Sequence, residues 1–168
     1  RADDDFGIAE AKVHFRRGDA AAQSRPLPLP GTTQARQSLR TAPLLDLTAH
    51  PWAGLEVELW VGVTDAKGQE GRTPPTRVTL PRRVFEHPVA ERIASLRRDL
   101  AADPANRLEV APALREIAEA PDAFNHDMVV FMGLHVAISR LIYGTPPEWG
   151  QVVDLLWNLA LRVEDGDL

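Results

Sequence analysis

The sequence predicts an α+β protein, with an immunoglobulin-like β-sandwich, complete or incomplete, over residues 1–82 and a small antiparallel helical bundle over residues 83–168. In the first half apolar residues alternate with polar ones, whereas in the second half they recur at helical spacing. The charge balance changes at the same place. Residues 1–81 carry ten acids and ten bases, and residues 82–168 carry fourteen acids and nine bases. Two domains of different type are therefore expected.

The strands are predicted from the period of two. Ala11, Val13 and Phe15 alternate with polar residues, and the best strand covers residues 55–64. Trp60 lies on the otherwise polar face of that strand, which makes it a candidate contact residue. Shorter strands are predicted at residues 76–80 and, more weakly, at 44–48. Four strands are fewer than the roughly seven of a closed sandwich, so the sandwich could be incomplete.

A proline-rich stretch separates the first strand from the next, at residues 18–40, and contains RPLPLPG. Alternating Pro and Leu favours polyproline II and excludes a central strand, because proline lacks the amide donor of a sheet ladder. We interpret the stretch as an exposed connector or edge segment. A proline-rich docking ligand is the alternative.

Four helices are predicted in the second half. Pro88 suits the first position of the first helix, and the second covers residues 108–120. Asp122 is the predicted N-cap of the third helix, which Gly144 closes. The stretch Thr145-Pro-Pro-Glu is a capping box that begins the fourth. Short connections predict antiparallel neighbours.

Two contact surfaces are expected, an unfilled sheet edge and an exposed apolar stripe on the fourth helix. Through them the chain would bind a protein partner or a second copy of itself. Trp60, Trp149 and Trp157 are the candidate interaction residues. The stripe on the fourth helix comprises Trp149, Val152, Val153, Leu156, Leu159, Ala160 and Val163.

Two Asp-to-Gly stretches, RADDDFG and VTDAKGQEG, permit either a calcium site or tight turns. Asp3, Asp4, Asp5 and Asp65 could supply carboxylate ligands. Neither stretch matches the EF-hand pattern, and Asp followed by Gly is also what a hairpin needs. Turns are the favoured interpretation, and no cofactor or metal is expected; a calcium-dependent adhesion or glycan-binding module is the alternative.

The sequence does not predict a catalytic centre. There is no Cys, which excludes a thiolate zinc site and a Cys nucleophile. His126 and His135 fall on opposite faces of the predicted helix. Asp127, His135 and Ser139 share a face, but at spacings too long for a hydrogen-bonded triad. We therefore expect no enzyme; an enzyme whose site is completed by segments absent here is the alternative.

The other histidines and the paired arginines have local explanations. His50 and His87 each precede a proline, where we expect the ring to bond a local carbonyl and stiffen a turn. Arg82-Arg83 and Arg97-Arg98 predict salt bridges, since a net charge of −5 leaves no basic stripe for nucleic acid. The longest apolar run, at residues 128–134, is too short to span a bilayer.

Several stretches together resemble a family of long bacterial proteins, the domain of unknown function 4175. They are ADDDFGI, DLTAHPWAGLEVEL, TDAKGQEGR, LPRRVFEHPVAERI and LWNLALRVEDGDL. The resemblance implies a membrane-anchored alphaproteobacterial protein with a Gln/Gly-rich tail, and a coiled-coil-like continuation after VEDGDL. It also implies a location on the periplasmic side of the inner membrane, with membrane contact only through segments absent here. No catalytic residue follows from it.

The expected function is thus a non-enzymatic structural or interaction module from the extracytoplasmic part of an envelope protein. The missing initial Met and the incomplete sandwich suggest a fragment of a longer chain.

Overall fold

Alternating apolar residues in the first half and helical periodicity in the second build an α+β structure, as predicted. The computed structural model describes residues 2–3, 8–29, 38–39 and 44–166, of which 2–3 and 38–39 by backbone alone. Its contacts divide the chain into two units, each described by itself below. The β unit is Arg1–Asp46 with Glu56–Leu80, and the helical unit is Leu47–Leu55 with Pro81–Leu168.

In the described residues the β unit contains an antiparallel sheet of five strands, in the order β3–β2–β5–β6. The fifth strand, β7, pairs with the same edge of β5 as β6 does; β7 pairs with the first half of β5 and β6 with the second half. A separate two-stranded ladder joins β1 to β4. The strands are β1 Ala2–Asp3, β2 Ile8–Arg16, β3 Gln23–Pro26, β4 Ser38–Leu39, β5 Glu56–Asp65, β6 Glu70–Arg72 and β7 Thr76–Thr79.

The strand register keeps the predicted alternation. Val13 pairs with Val61 on the apolar face, and His14 pairs with Trp60 on the polar face. A register shift after Ile8 brings that residue onto the apolar face as well. Within the described residues the buried apolar side chains of β2 and β5 share one face of this sheet. The buried apolar residues of β2 and β5 are Ile8, Ala11, Val13, Phe15 and Val57.

The predicted strand at residues 44–48 is wrong. Residues 44–47 have no regular structure and a turn follows. The carbonyl groups of Ala49 and His50 accept hydrogen bonds from the buried guanidinium of Arg97, at 2.8 and 3.3 Å. The turn that contains Ala49 and His50 belongs to the helical unit and is bonded there to Arg97.

The helical unit is a four-helix arrangement in which each helix packs on two others, in the cycle α1–α2–α3–α4. Short 3₁₀ turns, Pro104–Asn106 and Pro121–Phe124, precede α2 and α3. Its core is apolar and includes Ile93, Leu114, Leu134, Leu141 and Leu156, each fully buried. The helices are α1 Pro88–Ala102, α2 Arg107–Ala118, α3 Met128–Tyr143 and α4 Pro146–Asp165.

The predicted helix starts are confirmed for α1 and α4 and wrong for α3. Pro88 is the first residue of α1. The carboxylate of Glu148 accepts the amide of Thr145 at 2.7 Å, which completes the capping box of α4. The third helix begins after Asp127 and not after Asp122, which instead lies in the 3₁₀ turn.

Candidate interaction surfaces

An uncharged, mostly apolar face extends along the outer side of α3. Eight side chains of this helix are exposed, from Met128 at 65% to Tyr143 at 84%. At 100° per residue they fall within about 140° of the helix circumference. We call this surface the α3 face; it consists of Met128, Val129, Met132, His135, Val136, Ser139, Ile142 and Tyr143.

The α3 face is unusual for a helix at a protein surface, where the outer side is normally charged. The inner side of α3 is apolar too, because Val130, Leu134 and Leu141 are all fully buried. A helix that is apolar all round is normally covered on all sides. Contiguous exposed apolar patches larger than a few hundred Å² mark interaction sites. The α3 face is therefore the strongest candidate contact surface in the described part of the chain.

Asp127 fixes the start of α3. Its Oδ1 accepts the amides of Val129 and Val130 at 2.8 and 3.2 Å, and its Oδ2 accepts Arg162 Nε at 2.6 Å. Burial raises the pKa of Asp127, but the hydrogen bonds from Arg162 and the two amides outweigh it, so the pKa lies below its ordinary value. The charged carboxylate thus caps α3 and joins it to α4.

The predicted exposed stripe on the fourth helix is wrong. Val152, Leu156 and Ala160 are fully buried in the helical core, and Leu159 is 3% exposed. The apolar spacing of the fourth helix was identified correctly. Such spacing indicates that one side of a helix is buried, but it does not show which element covers that side. In this chain α1 and α3 cover it, and the exposed apolar surface belongs to α3 instead.

The two tryptophans of α4 are half-buried and packed against the helical core. Trp157 meets Phe85 edge to face at 5.7 Å, and Arg97 lies 4.7 Å from its ring centre. The guanidinium of Arg107 lies 4.6 Å from the ring of Trp149. Both indoles therefore have structural contacts, and Trp149 also lines an apolar groove treated below.

Trp60 lies on the outer face of the sheet, as predicted, and stacks on His14. Their ring centres are 5.5 Å apart and the planes are inclined by 7°. Gly62 makes room for this arrangement, because a Cβ there would lie 2.9 Å from Nε2 of His14. The rings border a shallow hollow of about 560 Å³, which we call the outer-face hollow. Its charged residues are Glu10, Lys12, Glu70 and Arg72.

The second Asp-to-Gly stretch is a hairpin turn, as favoured. Oδ1 of Asp65 accepts the amides of Lys67 and Gln69 at 2.8 and 2.7 Å, and Gly68 takes a φ of +82°. Oδ2 of Asp65 is buried and has no hydrogen-bond partner among the described residues. Asp4 and Asp5 lie outside those residues, and Asp3 is described by its backbone alone. Within the described residues, no three His, Cys, Asp or Glu converge on one ion.

The residues with triad-like spacing on α3 do not come together. One carboxylate oxygen of Asp127 caps α3 and the other accepts a hydrogen bond from Arg162, while His135 is exposed and contacts Phe131 edge to face at 4.5 Å. Ser139 is exposed one turn further on. His126 instead contacts Asp122, 2.6 Å away. Asp127, His135 and His126 therefore each have a structural partner of their own.

The histidines before proline each form a hydrogen bond with the local backbone. Nδ1 of His50 accepts the amide of Trp52 at 3.0 Å, and Nδ1 of His87 accepts the amide of Val89 at 3.2 Å. Each ring therefore accepts a hydrogen bond from the amide two residues further along the chain. His87 thereby caps α1.

The paired arginines have different partners. Arg82 and Arg98 both contact Glu91, at 2.8 and 3.2 Å, as salt bridges predicted from the sequence. Arg97 is 2% exposed and donates to backbone carbonyl groups. Sequence reasoning missed it, because an Arg-Arg pair on a helix is usually read as surface. Arg97 lies four residues after Ile93 and three residues before Leu100, both of which are buried. This spacing puts Arg97 on the buried side of the helix and could have predicted its burial.

No described helix has both the length and the apolar content that crossing a bilayer demands. No curated protein and no solved structure matches the chain. A family model, described as Domain of unknown function (DUF4175), matches residues 1–168. The match covers the whole chain and agrees with the stretches quoted above, so the chain belongs to the DUF4175 family.

Proposed function

We propose that the chain is a non-enzymatic interaction module that pairs with a second copy of itself through the α3 face. The observation that carries this proposal is the exposed apolar surface of α3, on which no residue is charged. A charged partner would find no group of opposite charge there. An identical apolar face brings no charge that would need such a group. Two copies related by a two-fold axis would each cover the patch of the other.

Antiparallel pairing suits the distribution of the exposed residues. The 16 residues of α3 extend over about 24 Å. A two-fold axis near His135 and Val136 would place Met128 of one copy near Tyr143 of the other. Apolar side chains along the whole length provide the extended contact that a dimer burying roughly 800 Å² per partner requires. Methionine side chains adapt well to such contacts.

The carboxylates whose pKa is changed have structural partners, which is consistent with a non-enzymatic role. Every described carboxylate with a resolved change has a pKa below its ordinary value, because it accepts hydrogen bonds from arginines, amides or a hydroxyl. A general acid at neutral pH needs the opposite, a raised pKa. These groups cap helices and form ion pairs: Glu58, Glu91, Asp127, Glu148 and Glu164.

We further propose that the module belongs to the extracytoplasmic part of a membrane-anchored envelope protein, on the periplasmic side of the inner membrane. Family membership and the resemblance described above support this setting. Any anchor would lie in segments outside this chain. We also propose that the β unit is an immunoglobulin-like fragment, which its all-antiparallel strands and exposed edge segment support.

The pairing is tested by a charge at the centre of the α3 face. We expect the wild-type chain to sediment as a dimer and Met132→Glu to sediment as a monomer. Burying an unpaired carboxylate in each copy should raise the dimer dissociation constant at least about 100-fold. Analytical ultracentrifugation over a range of concentrations measures this constant.

Gln151→Glu is the matched control, because Gln151 is exposed on α4, outside the α3 face. It adds the same charge and should leave the dissociation constant unchanged. A wild-type chain that stays monomeric at every concentration would contradict the proposal. So would a Met132→Glu chain, folded by circular dichroism, that dimerises as tightly as wild type.

A second candidate function is glycan binding, the alternative raised from the sequence, and the outer-face hollow favours it. The paired rings of His14 and Trp60 offer an apolar surface beside two acids and two bases. Their charges balance, which suits an uncharged ligand rich in hydroxyl groups. Concave sites of this kind combine aromatic area with a few convergent polar groups.

Retention on insoluble chitin, cellulose and peptidoglycan tests this second candidate. If it is correct, one of these polysaccharides retains the wild-type chain, and Trp60→Ala lowers the affinity at least about tenfold by removing the larger ring. Thr79→Ala is the control, since Thr79 is exposed on β7 away from the hollow. Equal retention of the wild-type chain and of Trp60→Ala contradicts the glycan-binding candidate. So does a wild-type chain that none of the three polysaccharides retains. Repeating the assay with calcium and with a chelator tests the role of Asp3, Asp4, Asp5 and Asp65.

A further inference from the structure

An apolar groove of about 260 Å³ lies in the helical unit, between the turn that contains Trp52 and the start of α4. Leu100 and Val153, which are 2% and 8% exposed, line it together with the half-buried indoles of Trp52 and Trp149. One exposed carboxylate, that of Asp154, lies at its border. We call this site the Trp groove.

Contacts between the two lining tryptophans and residues behind them hold the Trp groove in shape. The amide of Trp52 donates to Nδ1 of His50, and the two rings meet edge to face at 5.2 Å. Arg97 in turn donates to the carbonyl of His50. On the other side, the guanidinium of Arg107 packs over Trp149. A preformed groove loses little entropy when a ligand binds.

The chemistry of the Trp groove fits a proline-rich peptide. Aromatic-lined grooves bind polyproline II segments, whose extended shape is already ordered before binding. The volume is below the roughly 300–1,000 Å³ typical of small-molecule sites, so a few side chains would fill it. A single acid at the border suits a ligand with one cation beside its prolines.

The chain itself carries such a segment, at residues 25–29. Pro26 and Pro28 are exposed, whereas Leu27 and Leu29 are half-buried. The amide of Leu27 donates to the carbonyl of Ala11 at 2.8 Å, which holds the segment in extended form along β2. Two exposed prolines, two residues apart, are then spaced by about 6–7 Å.

The residue before these prolines supplies the cation. Arg25 is exposed at the end of the sheet-edge strand β3, and its charge is opposite to that of Asp154. We propose that the Trp groove binds the proline-rich segment, residues 25–29, of a second copy of this chain. Pro26 and Pro28 would pack on Trp52 and Trp149, and Arg25 would pair with Asp154.

Such a contact is heterologous, because the groove of one copy takes the segment of another. It uses a surface separate from the α3 face and does not depend on the proposed dimer. Met132→Glu should therefore leave it unchanged.

A synthetic peptide of residues 23–31, QSRPLPLPG, tests the proposal when titrated into the full 168-residue chain. The peptide has no tryptophan, and two of the four tryptophans of the chain line the groove, so intrinsic fluorescence reports binding. We expect a saturable change in emission. A peptide with both Pro26→Ala and Pro28→Ala should bind at least about tenfold more weakly, because it loses two ring contacts and its extended order.

Charge exchange between Asp154 and the peptide tests the orientation. Asp154→Lys should weaken binding of the wild-type peptide several-fold, and a peptide carrying Arg25→Glu should recover part of the loss. Glu119→Lys is the control, since Glu119 is exposed at the end of α2, outside the groove. The absence of a saturable change in emission overturns the proposal. Equal affinity for the wild-type peptide and the alanine peptide overturns it as well. An Asp154→Lys chain that binds the wild-type peptide like wild type also overturns it.

Discussion

Replacing Arg97 with Ala is expected to lower the free energy of unfolding by about 2–5 kcal/mol. The guanidinium donates to the carbonyl of Val153 at 3.0 Å and to the carbonyls of Ala49 and His50. Removing it takes one donor from each of these three carbonyl groups, although that of His50 keeps the amide of Ala53, and opens a cavity beside Trp157. Burial lowers the pKa of Arg97, and relief of that desolvation offsets part of the loss.

Urea unfolding measures this effect, with Arg115→Ala as the control. Arg115 is exposed on α2, so its replacement should change the free energy of unfolding by less than about 0.5 kcal/mol. Arg97→Met, which keeps most of the side-chain volume, separates lost packing from lost hydrogen bonds. A loss below about 1 kcal/mol for Arg97→Ala would mean that water or a shifted backbone replaces the guanidinium, contrary to this account.

Replacing Gly133 with Val is expected to lower the free energy of unfolding by about 2–3 kcal/mol, because α3 approaches α4 closely at this residue. A Cβ on Gly133 would lie 2.6 Å from Cδ2 of Leu159 and 3.0 Å from its Cδ1. Leu159 is 3% exposed and has little room to move away. The strain should therefore exceed the gain of about 0.5 kcal/mol from replacing a helical glycine.

Gly150→Val is the matched substitution in α4. A Cβ at Gly150 meets nothing within 4 Å, so the variant should keep the wild-type stability within about 0.5 kcal/mol. Thermal unfolding of the two variants side by side measures the difference. Equal melting temperatures of the two variants would contradict this prediction. They would mean that α3 and α4 can move apart with little loss of the free energy of unfolding.

The elements that depend on local chemistry could be predicted from the sequence. Pro88 at the start of α1, the capping box of α4 and the Asp65 turn are each specified by residues within one turn of each other. Polar and apolar alternation likewise predicted which face of β5 carries Trp60. In these places the side chain and the backbone it bonds are close together in sequence.

The start of α3 shows where local chemistry was ambiguous. Asp122 and Asp127 both suit an N-cap, and the choice depends on Asn125 and His126, which adopt φ values of 56° and 55°. Two successive left-handed residues interrupt the helix, and pattern reasoning does not anticipate them. The bond from Arg162, 35 residues away, supports Asp127 as the cap.

Which apolar surface stays exposed depends on tertiary contacts, which is why the sequence predicted an exposed stripe on α4 and not on α3. Both α3 and α4 carry apolar residues at helical spacing, and only packing decides which side is covered. Gly133 lets α4 pack closely on one side of α3, while Met128 and Met132 remain exposed on the other. A single-sequence pattern contains no information about that choice.

The central claim, pairing through the α3 face, is tested most directly at Met128 and Met132. They are the two methionines of the chain, and both belong to that face. Their ¹³C-labelled methyl groups give two NMR signals that can be followed as protein concentration rises. We predict that both signals shift together with one dissociation constant, equal to that from sedimentation. Two signals that stay fixed at every concentration, in a chain that is otherwise folded, would contradict the account.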